Sequence, residues 1–543
     1  MNILKTAIAW LFIVNCSLIF ASDHLDYVIN ISDPGNYYLW VRAKASKHET
    51  SLINIQINSG SVTQLMFTDK TNLQWKRVDS SYNLDYGSHK LTLQTSALGM
   101  VIDKILWTTN SGYQPSGVDI SAVNPASKPH VSKVIDLGGK GWMPIMGDVN
   151  NDGKIDFVVT GLNYVSVFDN SGVLLWQNEI SGNKLQYVID DGAACARPID
   201  IDADGVVELV GIFCFGNAPY LAAIDATTGV VKSQLALPIL TDNWQYDTLQ
   251  IANFRGLATP QDVVIKYAKG GYVPFKVVAY KFENGQFQQL WQIESAPNEN
   301  RAGSHRPKVF DIDQDGRDEV INGFWLYNHD GTIKWEKPYG FFDQNHHIDS
   351  QRAGDIIPNN PGIEIAYASG TVVLDSSGNV LWRKDIDEGQ SVALAEMRAD
   401  LPGLEVLVHY QEPYNNEGLF SSSGELLWMF DGQPHYAASY ETYPIQWIGD
   451  QGRESVRQEW GRDRSPAIYD EFNNLVVRLT PEYDYGEGGY RPCDVTGDYR
   501  EELVYFNENY IVIYENIAPN TRSFPSPWLD PIYRENQYNW VYY

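Results

Sequence analysis

The chain has 543 residues, 43% of them hydrophobic and 20% charged, which is enough for several domains with real cores and too apolar for a disordered polymer. With 40 Lys plus Arg against 68 Asp plus Glu, the formal net charge of −28 has the wrong sign for a protein that grips a nucleic-acid backbone. The 16 Trp, 33 Tyr and 44 Gly point instead to many short strands joined by tight turns, an all-β chain.

The first element is apolar: Lys5 precedes a run from Thr6 to Phe20, and Ala21 stands ahead of Ser22 and Asp23. This predicts a signal peptide over residues 1–21 and a secreted or periplasmic mature protein without a membrane span. Residues 22–110 then alternate apolar and polar, as in Tyr37 to Ala43, Leu52 to Ile57, Lys90 to Leu93 and Ile102 to Trp107, the pattern of a small β-sandwich. Pro115, Pro125 and Pro129 among Ser and Gly mark residues 111–130 as a linker.

Between residues 131 and 517 one acidic phrase keeps returning. Its sharp copies carry oxygen-bearing side chains at positions 1, 3, 5 and 9: Asp148, Asn150, Asp152 and Asp156; Asp200, Asp202, Asp204 and Glu208; Asp311, Asp313, Asp315 and Glu319; Asp494, Thr496, Asp498 and Glu502. Weaker copies start at Asn253, Asp355, Glu396 and Trp447. Starts lie 41 to 58 residues apart, close to one four-stranded propeller blade, and later strands of the repeat carry Trp176, Trp291, Trp335, Trp382 or Trp428. The expected fold is an eight-bladed β-propeller, with seven blades the alternative count. His130 to Leu137 would supply the outer strand of the last blade, and residues 518–543 a tail packed on the ring.

Such loops suit a hard cation that wants six to eight oxygens, so calcium is the expected cofactor, in a mainly structural role. Cys195 and Cys214 are placed either to bridge neighbouring strands or to stay as buried thiols, and Cys493 is left over.

Three residues ahead of the eight starts stand four bases, Arg197, Lys308, Arg352 and Arg491, in a strongly acidic chain. Near them in sequence are Trp142, Tyr246, His305, Arg306, His346, His347, His435, Tyr436, Tyr440 and Tyr490. If the loop follows the innermost strand of each blade, these residues gather at one end of a funnel. Arginines pair with carboxylates, aromatic faces stack on sugar rings, and His or Tyr exchange protons, which are the parts that a lyase of an acidic polysaccharide needs. A hydrolase would need two facing carboxylates; Asp349 and Glu441 qualify by type, but no pair stands out.

The phrases Gly147-Asp148, Gly354-Asp355 with Asn360-Pro361-Gly362, and Asp494 to Glu502, with the tail Leu529-Asp530-Pro531, resemble those of the β-propeller rhamnogalacturonan lyases over residues 131–543. The resemblance implies a calcium-containing propeller that cleaves rhamnose- and uronate-containing polymers by β-elimination, with ulvan lyases as neighbours. It carries His347 and Arg352 over as active-site residues, through the segment Asn345 to Asp355. Residues 24–110 resemble carbohydrate-binding sandwiches, through Tyr38 to Arg42 and Gly87 to Leu93.

The resulting expectation is a monomeric lyase acting on an acidic polysaccharide. His347 is its base, His305 or Tyr246 its proton donor, and Arg197, Arg306, Arg352 and Arg491 are its carboxylate clamps. Lys308, His346, His435, Tyr436, Tyr440, Tyr490 and Trp142 are further contacts. The alternative is a non-catalytic carbohydrate-binding or adhesive propeller with calcium loops.

Overall fold

The computed structural model describes residues 11–19, 24–31, 35–46, 50–85, 87–95, 100–108, 111, 127–141, 143–161, 164–179, 196–216, 218–270, 272–342, 347–384, 386, 389–410, 416–430, 442–449, 452–458, 466–479, 488–518 and 524–539. The chain divides into two compact units, Met1–Pro125 and Ala126–Tyr543.

Among its described residues the first unit forms two four-stranded antiparallel sheets. One orders Leu11–Ile19, Val101–Thr108, Gly35–Lys44 and Gln74–Leu84; the other orders His24–Ile31, Gly87–Thr95, Ser51–Ile57 and Thr63–Phe67. Alternate residues of Ser51–Ile57 are buried, as a strand with one face on a core requires. Tyr37, Leu39, Val41, Ile53, Ile55, Leu91, Leu93 and Trp107 share one core, and each is worth about 1.5–3 kcal/mol of burial. The apolar run read as a leader is placed here as an edge strand on Val101–Thr108. An uncharged stretch can cover a sheet edge by the same hydrophobicity that makes it resemble a leader. Most of the linker lies outside the described residues, but its end does not: Pro129 and His130 already belong to a strand.

Among the described residues the second unit forms eight four-stranded antiparallel sheets. Their first strands are Met143–Gly147, Arg197–Ile199, Trp244–Ala252, Lys308–Phe310, Gln351–Gly354, Gly389–Ala395, Tyr443–Ile445 and Gly489–Cys493. Seven sheets are consecutive meanders. In the eighth, Pro129–Asp136 pairs with Tyr510–Asn516 as the fourth strand.

Neighbouring sheets are fastened by one repeated device. The outer-strand indoles of Trp176, Trp291, Trp335, Trp382 and Trp428 donate to the carbonyls of Ala226, His329, Ser376, Ser422 and Glu471 in the next sheet, at 2.8, 2.8, 3.2, 2.9 and 3.0 Å. In four cases the indole lies against a turn glycine, Gly229, Gly331, Gly378 or Gly424. Ile135 of the strand Pro129–Asp136 meets Gly172 of the first sheet in the same manner, so the eighth sheet abuts the first.

A short 3₁₀ turn, Pro527–Leu529, and the helix Pro531–Tyr538 end the described chain. Gln537 accepts from Arg491, Tyr538 approaches Gly147, and Asn539 exchanges two hydrogen bonds with Ile251, at 2.8 and 2.9 Å. The tail therefore spans the first-strand ends of the eighth, first and third sheets.

Candidate functional site

Two chain segments enter the fourth and fifth sheets side by side. Ser304 and Ile348 form a parallel bridge; His305 N donates to Ile348 O at 2.9 Å, and Ile348 N to Gly303 O at 3.0 Å. This pairing brings His305 and His347 together, with ring centroids 5.0 Å apart. Both turn Nε2 toward Asp349 Oδ1, at 3.4 and 3.1 Å, while Gln390 donates to the other carboxylate oxygen at 3.1 Å. Asp349 is buried and the imidazoles are about a fifth exposed or less, at 20% and 17%. Two imidazole nitrogens and a carboxylate within 4.8 Å of one another can hold a divalent cation.

Tyr272, on the turn between Asp262–Lys269 and Phe275–Glu283, places its ring edge-on to both imidazoles, each at 5.1 Å. Burial, and then the Asp349 and Asp247 carboxylates, push its phenol above the usual range, so it keeps its proton. Beneath lies a buried charge cluster. Lys266 Nζ meets Asp247 Oδ2 at 2.5 Å and donates to Ser304 O, and Arg306 reaches Asp247 Oδ1 at 3.1 Å. Ser304 N also donates to Asn322 Oδ1 at 3.2 Å, so the peptide ahead of His305 is held from two sides.

Several expected roles change. His347 as a base needs a nitrogen facing substrate, but Nε2 faces Asp349 and Nδ1 is buried. Tyr246 is 1% exposed, lies in an aromatic core against Tyr267, and donates its hydroxyl to Pro238 O at 2.5 Å, so it is not a proton donor here. Arg197, Arg306 and Arg491 are buried braces, not clamps. Arg197 donates to Leu249 O at 3.2 Å; Arg491 donates to Pro144 O at 3.2 Å and Gln537 O at 3.1 Å. Arg197, Arg306 and Arg491 each donate to a main-chain carbonyl of the neighbouring sheet. Tyr490 is likewise buried, packed edge-on to Tyr443 at 5.8 Å. Arg352 stays half-buried with a bond to Gln351 O at 2.9 Å, and Lys308 is half-buried in its strand. Trp142, His346, His435, Tyr436, Tyr440, Glu441 and Cys195 lie outside the described residues; Cys214 and Cys493 are buried.

The sharp loops sit at the opposite, C-terminal ends of the first strands. Asp148, Asp200 and Asp311 each accept from the main-chain N–H groups four and five residues on, at 2.9 to 3.1 Å. Position 4 (Asn151, Ala203, Gln314) and the glycine at position 6 both have left-handed φ, which winds the three loops alike. Asp200, Asp202 and Glu208 converge, as do Asp311, Asp313 and Asp315. Lys232 Nζ already meets Asp202, Asp204 and Glu208, at 3.2, 3.1 and 2.6 Å, and Lys334 meets Asp313. The fourth loop differs. Gly497 takes position 4 and Tyr499 position 6, Asp498 is turned to Arg500, and Asp494 accepts from Ser526 Oγ at 2.9 Å. Its donors serve the tail and its own arginine, so Asp494, Thr496, Asp498 and Glu502 do not form an open oxygen cage.

The sequence reading missed Tyr272, Asp247, Lys266 and Gln390 and gave Asp349 no place in the site. Lys266 left a signal, a charge inside the apolar run Val263 to Tyr267; Tyr272 left none beyond its glycine-flanked turn.

Comparison with known proteins adds independent findings. The model of the rhamnogalacturonan lyase family 11 C-terminal domain matches residues 256–541, more than half the chain. Rhamnogalacturonan exolyase YesX of Bacillus subtilis (strain 168) is 23% identical over 578 aligned positions, covering 93% of this chain and 90% of the relative. Rhamnogalacturonan endolyase YesW of the same organism is 28% identical over 291, covering 49% and 42%. The crystal structure of exotype lyase YesX superimposes with a TM-score of 0.57 at 20% identity, covering 94% of this chain and 92% of that one. A Bacillus licheniformis family 11 lyase gives 0.56 at 17%, covering 97% and 95%.

Proposed function

The chain belongs to rhamnogalacturonan lyase family 11 and is a polysaccharide lyase. From that premise we propose that it cleaves the uronate–rhamnose backbone of rhamnogalacturonan by β-elimination, at the rim where His305, His347 and Asp349 converge. The convergence carries the reading, because among the described residues it is a half-open cluster of titratable groups at the entry ends of first strands. The eight sheets are read as the blades of one propeller, which has its first strands innermost, and the two-sheet first unit as a carbohydrate-binding sandwich. A leader over residues 1–21 and export complete the proposal.

The elimination begins with the uronate carboxylate, whose negative charge opposes loss of the C5 proton. A divalent cation bound by the two imidazoles and Asp349 would neutralise that charge. Gln390 holds the far oxygen of Asp349, so the near one stays aimed between the rings. Lys266 and Asn322 fix the peptide that carries His305. Half-buried Arg352, with Trp142, His346, His435, Tyr436 and Tyr440, is assigned to the sugar path. Calcium is assigned a structural role in the first three sharp loops, where all-oxygen donors and matched left-handed turns favour it.

The test is to incubate the protein with rhamnogalacturonan and, in parallel, with ulvan, following the ultraviolet absorbance of unsaturated uronate ends. Absorbance growing with rhamnogalacturonan supports the proposal. Growth with ulvan alone moves the substrate, and saturated reducing ends alone would overturn the mechanism.

A further inference from the structure

β-Elimination has a second proton requirement. As the C5 proton leaves, its electron pair becomes the C4–C5 double bond and the C4–O4 bond breaks. The departing O4 then has to take up a proton. Neither imidazole is placed to supply it through Nε2, because both Nε2 atoms face Asp349. Tyr246 is committed to Pro238 in the core.

Tyr272 lies at the cluster itself. It is half-buried, and its ring touches His305 and His347 at equal distances of 5.1 Å. The turn that carries it is anchored by main-chain bonds from Tyr272 N to Lys269 O at 3.2 Å, from Lys269 N to Pro274 O at 2.9 Å, and from Gly270 N to Asn243 O at 2.7 Å. A ring held on a pinned turn against both imidazoles has the fixed position that proton transfer in a transition state requires.

Building on the lyase reading above, we propose that Tyr272 is the proton donor to the leaving oxygen. Its O–H bond breaks as O4 departs from C4, the proton goes to O4, and the phenolate regains a proton from water. The C5 proton passes to solvent water, which balances the proton the phenolate regains, so the cycle consumes no other reactant.

Tyr272→Phe keeps the ring contacts and removes only the hydroxyl. On rhamnogalacturonan its kcat should fall about 10²- to 10⁴-fold, with KM and the unfolding midpoint close to wild type. A synthetic uronide with an electron-poor aryloxy group at C4 needs no proton on departure, and the variant should turn it over at nearly the wild-type rate. Equal slowing of both substrates would mark a structural role and overturn the assignment, as would a variant within about threefold of wild-type kcat on the polymer. If wild-type protein releases no unsaturated ends from either substrate, the lyase reading itself has failed, an outcome distinct from a functional enzyme indifferent to the hydroxyl.

Discussion

Lys266 has no exposed surface, and its neighbours in the strand are Val264, Ile265 and Tyr267. Burial pulls its ammonium below the usual range, and Asp247 pulls it back up. Lys266→Met leaves Asp247 paired with Arg306 alone and should cost about 3–5 kcal/mol of stability, read as a lower urea midpoint, together with lost turnover as Ser304 is freed. Glu405 gives a pH signature. Burial raises its carboxyl to about 7 despite main-chain bonds from Met397 and Arg398. A carboxyl raised above its unfolded value of about 4.3 holds an extra proton in the folded state. Its contribution is therefore full below that pH and is lost as pH rises through 7. Glu405→Gln, which still offers an oxygen to both N–H groups, should flatten melting temperature between pH 5 and about 8 and raise it at the upper end. At this scale the sequence was half legible. His305 and His347 could be found because each immediately precedes a repeat. Arg197, Arg306 and Arg491 misled because a sequence shows that a base is there, not that it faces carbonyls of the neighbouring sheet; Tyr272 sits on the turn between the second and third strands of its sheet, outside the recurring acidic phrase.

The repeat itself was readable because each copy builds the same element. Its glycines, acids and tryptophans recur for separate physical reasons: left-handed turns, oxygen donors, and indoles that fasten one sheet to the next. Gly424 joins two of these demands. Its φ is +83°, and a Cβ there would come within 2.7 Å of Trp382. Gly424→Ala should destabilise by about 1–3 kcal/mol, measured by thermal melting, and should shift the Trp382 fluorescence. The fourth sharp loop shows where spacing stops being informative. It keeps the acids, yet swaps glycine and a bulky residue between positions 4 and 6, with Tyr499 at φ +81°. In the degenerate third copy Arg255 lies on Asp262 at 2.7 Å.

For the whole molecule, a net charge of −28 makes the cation reading testable in bulk. Metal that binds only the folded state stabilises it by about 2.7 kcal/mol per site at a hundredfold excess over Kd. Chelation should therefore lower the melting temperature, and calcium should restore it; elemental analysis without calcium, and a melting curve indifferent to chelator, would count against the loops as metal sites. The all-β class was legible from composition and period, whereas the tail's reach to three sheets was not, because nothing local in Gln537 or Asn539 reports partners in Arg491 and Ile251.

The eighth sheet is made from both ends of its unit: Lys128 N donates to Asn516 Oδ1 across 388 residues of sequence, beside the pairing of Pro129–Asp136 with Tyr510–Asn516. On a ribosome adding about 5–20 residues per second, the early strand waits roughly 20–80 s for its partner. Throughout synthesis it is an exposed edge, able to recruit a neighbouring nascent chain. Successful production of this protein thus depends on keeping one strand unengaged until Tyr510–Asn516 has been made.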